Sequence, residues 1–136
     1  MLMTRDGPLL GVLLAIGLGA SIGAIIRWVI GVEFNSERYG WFPWGTFVVN
    51  IIAGFLIGFV LSWLSTTSNL SPLVRLFLVT GFLGGLSTFS SFCAEDVAML
   101  FQGYYWRAFI HVTSHVVISL VLTALGFFVG HWVFKH

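Results

Sequence analysis

Four stretches of about 20 or more mostly apolar residues dominate this chain of 136 residues, each long enough to cross the hydrocarbon core of a bilayer as a helix rising 1.5 Å per residue. They run from about Leu9 to Val32, from about Pro43 to Leu64, from Pro72 to about Phe101 and from Tyr104 to about Phe134. Arg27 alone interrupts the first, and Pro43 and Pro72 fit the first turns of the second and third, where proline is tolerated. Charged residues make up 8% of the chain, against about 25% in soluble domains. So little charge cannot wet the surface of a globule. A cytosolic enzyme, a nucleic-acid binder and a disordered tail are thereby excluded. A net charge of +1 offers neither a basic patch nor an acidic run. The single cysteine, Cys93, rules out a disulfide framework within the chain and any multi-cysteine metal site. The apolar run after Arg5 is too long for the core of a signal peptide and has three more spans behind it, so it is expected to be retained. The expectation is an all-α integral membrane protein: one four-span domain over residues 1–136, multi-pass in the inner (plasma) membrane and surrounded by lipid.

Four spans place both termini on one side, together with Arg5, Arg75 and Lys135. Arg27, Arg38 and Arg107 fall on the other. Orientation normally follows an excess of Lys and Arg in cytoplasmic loops, and here there is none. Either context decides the orientation, or copies insert both ways and pair antiparallel. Four packed helices leave little room for an aqueous path. A solute-moving protein of this length is therefore expected to work as an oligomer, most simply a two-fold dimer.

Glycine spacing points to close packing. Gly19 and Gly23, Gly54 and Gly58, and Gly126 and Gly130 form GxxxG pairs, which let helix backbones approach in lipid. They argue for a tight bundle or dimer, not for a substrate. The third span differs, reading Thr80-Gly81-Phe82-Leu83-Gly84-Gly85-Leu86-Ser87-Thr88-Phe89-Ser90-Ser91-Phe92. Clustered glycines and hydroxyls weaken helix continuity, so a break is expected at mid-membrane depth. Backbone freed there must be buried or line a cavity, and its carbonyls can hold a cation. A packing kink is the plainer alternative.

Other polar groups sit on helical faces. Thr46, Asn50 and Gly54 share one face of span two. An asparagine inside a span marks an interhelical hydrogen bond or a pathway. His111, His115 and Ser119 share a face of span four. The two histidines have metal-ligand spacing, but Glu95 and Asp96 flank a different span. Neutral histidines bonded within the bundle, or facing a polar pore, fit better. His131 and His136 read as interfacial. Arg27 either snorkels to water or supplies positive potential at a vestibule. Phe89 and Phe92 lie on one face just after the expected break, where ring edges carry positive charge. The hydroxyls of Ser87, Thr88, Ser90 and Ser91 stand beside them. Such a lining favours an anion that exchanges its water for several compact donors.

These residues resemble the Fluc (CrcB) family of fluoride channels. Gly23-Ala24-Ile25-Ile26-Arg27-Trp28 is similar to the family's Gly-Ala-x-x-Arg-Tyr, with Trp for Tyr. Pro43-Trp44-Gly45-Thr46-Phe47-Val48-Val49-Asn50 is similar to Pro-x-Gly-Thr-x-x-x-Asn. Gly81 through Phe92 resembles Gly-x-x-Gly-Gly-x-Thr-Thr-Phe-Ser-Thr-Phe, the most specific of the three, with Ser87 and Ser91 each standing for threonine. The resemblance implies an antiparallel, dual-topology homodimer with two fluoride pores. It assigns Phe89, Phe92 and Asn50 to the pore, with Thr46 one turn away, Ser90 and Ser91 beside the rings and Ser119 on the pore side of span four. It assigns the Gly84 and Ser87 carbonyls of both copies to a structural sodium ion. His111 and His115 stand where the family leads one to expect Tyr, Asn or Ser.

The function implied is passive export of fluoride to relieve its toxicity, without enzymatic chemistry. The competing reading is a small proton-coupled multidrug exporter, which needs a carboxylate in the middle of a span. Glu95 and Asp96, late in span three, come closest. A third reading, an assembly partner using only its GxxxG faces, leaves the Ser-rich, Phe-bearing segment unexplained.

Overall fold

The structure, a computed structural model, describes residues 2–135; His136 lies outside them. Four of its helical stretches are long and apolar enough to cross a membrane. A two-residue hairpin, β1 (Met3–Thr4) against β2 (Gly7–Pro8), precedes α1 (Leu9–Phe34). A single 3₁₀ turn at Glu37–Tyr39 leads into α2 (Trp44–Thr66). Pro43 is the residue flanking α2 rather than part of its first turn. The N-terminal amides of α2 are instead capped from the end of α1. Gly45 N–H and Thr46 N–H donate to Asn35 Oδ1 over 2.7 and 3.3 Å.

The third apolar stretch, Pro72–Phe101, is assembled from short pieces. Ser71 caps α3 (Pro72–Arg75), with Pro72 in the first turn as its missing N–H allows. Leu76–Leu83 then winds more loosely, as a π-helix. A short α4 (Gly84–Leu86) follows, and after it Ser87 (φ −80°, ψ 156°) and Thr88 (φ −148°, ψ 113°) are extended. The helix resumes as α5 (Phe89–Phe101), where Thr88 Oγ1 accepts from Ser91 N–H over 3.1 Å. Gly103, at φ +81°, turns the chain into α6 (Tyr105–Lys135). That left-handed conformation suits glycine at the end of a helix.

The glycine pairs act inside one chain. A Cβ on Gly23 would collide with the Phe82 carbonyl, and one on Gly85 with the Ala20 carbonyl, so α1 and the third stretch touch backbone to backbone. A Cβ on Gly58 would strike Thr123 O, and one on Gly126 would strike Phe55 O, so α2 and α6 do the same. Between the two helix pairs lies a small apolar core of Val49, Ala53, Leu83 and Leu86. Close backbone approach of this kind replaces the hydrophobic drive that lipid removes.

The glycines are therefore separable by experiment. Gly58→Ala should destabilise the folded chain by about 1–3 kcal/mol, as overpacking does. Gly17, with no atom within 4 Å of an added Cβ, should accept Ala with no loss. Thermal melting of the two purified variants in detergent would check this, and equal melting temperatures would contradict it.

Candidate functional site: two cavities and a polar network between the helices

Two extended residues inside an apolar helix release backbone groups that lipid cannot satisfy. One side chain takes both groups of Thr88. Asn50 Oδ1 accepts from Thr88 N–H over 2.7 Å, and Asn50 Nδ2 donates to Thr88 O over 3.0 Å. A carboxamide offers the same donor and acceptor as a peptide unit, so Asn50 stands in for the missing turn of helix. It uses one of its two amide hydrogens and leaves the second for another acceptor. In a continuous helix the Thr88 N–H would go to Gly84 O, and the Ser91 N–H to Ser87 O. Here both are diverted, to Asn50 and to the Thr88 hydroxyl. The Gly84 and Ser87 carbonyls thus lose those donors. Gly85 O, between them, accepts from Arg27 Nε over 3.0 Å. Arg27 therefore tethers α1 to the third stretch.

A cavity of about 270 Å³ opens at this point, lined by Asn50, Thr88, Phe89, Phe92, His115 and Ser119 among others. The Phe89 and Phe92 rings lie 5.7 Å apart, tilted by 36°. Four residues assigned to a pore from the sequence, Asn50, Phe89, Phe92 and Ser119, share this cavity. Thr46 and Ser91 do not. They line a second cavity of about 270 Å³ with Arg27, Asn35, Thr88 and Glu95. Thr88 borders both. Ser90 is exposed, with its hydroxyl 3.3 Å from Thr88 Oγ1.

A chain of polar side chains runs beside these cavities. Asn35 Nδ2 donates to Thr46 Oγ1 over 3.2 Å, and the Thr46 hydroxyl donates to Glu95 Oε1. Glu95 Oε2 lies 3.5 Å from His111 Nε2, and His111 Nδ1 lies 3.2 Å from Asp96 Oδ1. His111 has no exposed surface. The Phe92 ring stacks on it at 5.1 Å and sits 4.8 Å from the His115 ring. Among the described residues no group of three or more His, Cys, Asp or Glu is arranged to hold a metal ion. Sequence reasoning left out Asn35, Glu95 and Asp96 as members of this network. Its signal was a pair of adjacent acids within a predicted span, which needs the packing of α5 on α6 to find its histidine.

The four long apolar helical stretches define a multi-pass membrane protein, with two cavities and a network of polar side chains between its helices. The sequence model of the family described as CrcB-like protein, Camphor Resistance (CrcB), matches residues 14–127. The chain is 44% identical over 124 residues to the fluoride-specific ion channel FluC of Nitrosospira multiformis, covering 91% of this chain and 96% of that one. It is 46% identical over 114 residues to FluC of Marinobacter nauticus, covering 84% and 90%. With FluC of an Acinetobacter baumannii strain the identity is 41% over 124 residues, covering 91% and 97%. The chain belongs to the CrcB family.

The pairing of Asn50 with Thr88 generates a prediction about stability. Asn50→Leu removes the partner of the part-buried Thr88 N–H and carbonyl, and each such group costs up to about 1–3 kcal/mol when left unpaired. The variant should melt well below the parent protein in detergent, and an unchanged melting temperature would remove Asn50 from its backbone role.

Proposed function

We propose that this protein is a fluoride-selective channel of the plasma membrane that lets accumulated fluoride leave the cell passively. One observation carries the proposal beyond the relatives' names: Asn50, Phe89, Phe92 and Ser119, from three different stretches, meet at one cavity beside the extended Ser87–Thr88 pair. Fluoride is compact and strongly hydrated, so a site must replace its water with closely spaced donors. The second Asn50 amide hydrogen and the Ser119 hydroxyl are such donors, and the edges of the two rings add weak positive charge without a titratable proton. On this reading Thr46, Ser91 and Arg27 form the approach, where the guanidinium attracts anions. No bond is made or broken, so no catalytic group is needed. The relatives, all fluoride channels, give the exporter reading no support.

The working unit of the proposal is an antiparallel dimer. Gly84, Ser87 and Ser90 are exposed in a single copy, near the middle of the third stretch, and Phe89 is 77% exposed beside them. Backbone and hydroxyl groups at that depth are tolerated only when protein covers them. A second copy supplies the cover, and the balance of Arg5, Arg75 and Lys135 against Arg27, Arg38 and Arg107 allows it to insert inverted. The Gly84 and Ser87 carbonyls, deprived of their helical donors, are hard oxygen ligands of the kind a sodium ion takes. Two from each copy would hold that ion at the interface, where it would cross-link the copies and stay in place during conduction.

Fluoride efflux from liposomes holding the purified protein, followed with a fluoride electrode and a chloride control, tests the channel. Fluoride should leave without chloride, and Phe92→Ile should abolish the flux while the dimer survives. A fully active Phe92→Ile would take that ring out of the path, and absent flux from the intact parent protein would overturn the function.

The dimer has its own test. Several lysines added to the loop between α2 and α3, on the same side as Arg75, should fix one orientation and lower fluoride resistance in cells lacking other fluoride exporters. Unaltered resistance would argue against a required antiparallel pair.

A further inference from the structure

The fluoride-channel reading accounts for most of the first cavity but leaves one lining group unused. His115 is 5% exposed and borders that cavity beside Asn50 and Ser119. Its Nδ1 lies 3.1 Å from the His111 carbonyl, one turn back on α6. A carbonyl only accepts, so Nδ1 carries the hydrogen and donates it. This fixes the tautomer: in the neutral ring Nε2 is a bare lone pair. Nε2 is buried and has no hydrogen-bond partner.

A lone pair at the edge of an anion path repels the anion. The same nitrogen, once protonated, becomes a charge-assisted donor. We propose that His115 is a proton-dependent ligand for the permeating anion, taking up a proton when fluoride occupies the cavity and releasing it when fluoride leaves.

The surroundings make the two events depend on each other. On its own helix His115 faces His111, with ring centroids 4.4 Å apart. From α5 come Phe92 and, beyond His111, the carboxylates of Glu95 and Asp96. The segment leading into α2 contributes Phe42, and α2 itself Phe47, both uncharged. His111 has a carboxylate at each ring nitrogen. His115 has a carbonyl at one and nothing at the other. A buried imidazolium without a counter-charge is costly, and fluoride at Nε2 supplies that charge. Each ion thus raises the affinity for the other by the same factor, as linkage requires. Fluoride affinity therefore rises as pH falls through the range where imidazole titrates.

The inference rests on the fluoride-channel reading, and the test separates their failures. Sodium fluoride is titrated by calorimetry into the purified full-length protein at about pH 6 and about pH 8, in buffers of different ionisation enthalpy, with sodium chloride as control. The parent protein should bind fluoride at least about threefold more tightly at the lower pH and take up a proton in doing so, within the tenfold-per-unit limit of one linked proton. His115→Gln keeps an N–H donor near the Nε2 position but does not titrate, so it should bind fluoride equally at both values with no proton uptake. Liposome efflux at the same pH values, corrected for leakage through protein-free vesicles, reports the channel itself. Absent efflux at both values would sink the channel and this inference together. Efflux accompanied by pH-independent binding in the parent protein would overturn the inference alone, as would an undiminished pH dependence in His115→Gln.

Discussion

A peptide group without a partner in hydrocarbon costs several kcal/mol, and the pairing of Asn50 with Thr88 is how this fold tolerates two extended residues within an apolar stretch. Both bonds are within the normal range, at 2.7 and 3.0 Å, and both come from one side chain on another helix. Because they satisfy Thr88 from the side, the helix can restart at Phe89 with Thr88 as its cap. The restart sets where Phe89 and Phe92 stand, and so what borders the cavity next to them. Arg27 acts on the same segment from the opposite direction, through the Gly85 carbonyl. An amide and a guanidinium thus hold the interrupted segment between α2 and α1.

The glycines make that support geometrically available. α1 lies against the third stretch at backbone contact, and Asn50 of α2 bonds to Thr88 of that stretch. Gly19, Gly23, Gly81 and Gly85 each have backbone where a Cβ would stand. The same is true of Gly58 and Gly126 across the other helix pair. Side chains at these positions would push the helices apart by more than a hydrogen bond can stretch. Small residues and polar pairing are therefore one device in this protein: the first sets the distance and the second uses it.

The four apolar stretches were legible because length and hydropathy suffice for them. The clustering of Gly84, Gly85, Ser87 and Thr88 was legible as a site of helix weakness, since each residue type weakens a helix by itself. The loose winding of Leu76–Leu83 was not, because that segment is apolar and carries no local marker of an extra residue per turn. Asn50 showed itself as costly, yet its partner lies 38 residues away and only packing brings them together. The polar chain from Asn35 through Thr46 and Glu95 to His111 and Asp96 was hidden for the same reason. Its members come from four helical segments, and periodicity within one helix says nothing about which acid meets which histidine. Arg27 illustrates the limit most plainly. Snorkelling and a vestibule were both open from its position, and its bond to the Gly85 carbonyl adds a tethering role that neither anticipated.

The contrast between the two histidines follows from the same accounting of partners. His111 is fully buried, with Asp96 within hydrogen-bond distance of its Nδ1 and the Glu95 carboxylate 3.5 Å from its Nε2, so each ring nitrogen faces an acid of the same chain. Glu95 in turn is held by Thr46, and Thr46 by Asn35, so moving His111 would disturb the cap of α2. A residue embedded in such a network is fixed by its neighbours. His115 has the opposite character, tied by one nitrogen to its own helix while the other is buried with no hydrogen-bond partner. A buried nitrogen that no protein group satisfies is retained at a cost. That cost is offset most directly by whatever occupies the cavity, and the charge of that occupant decides whether the nitrogen must carry a proton.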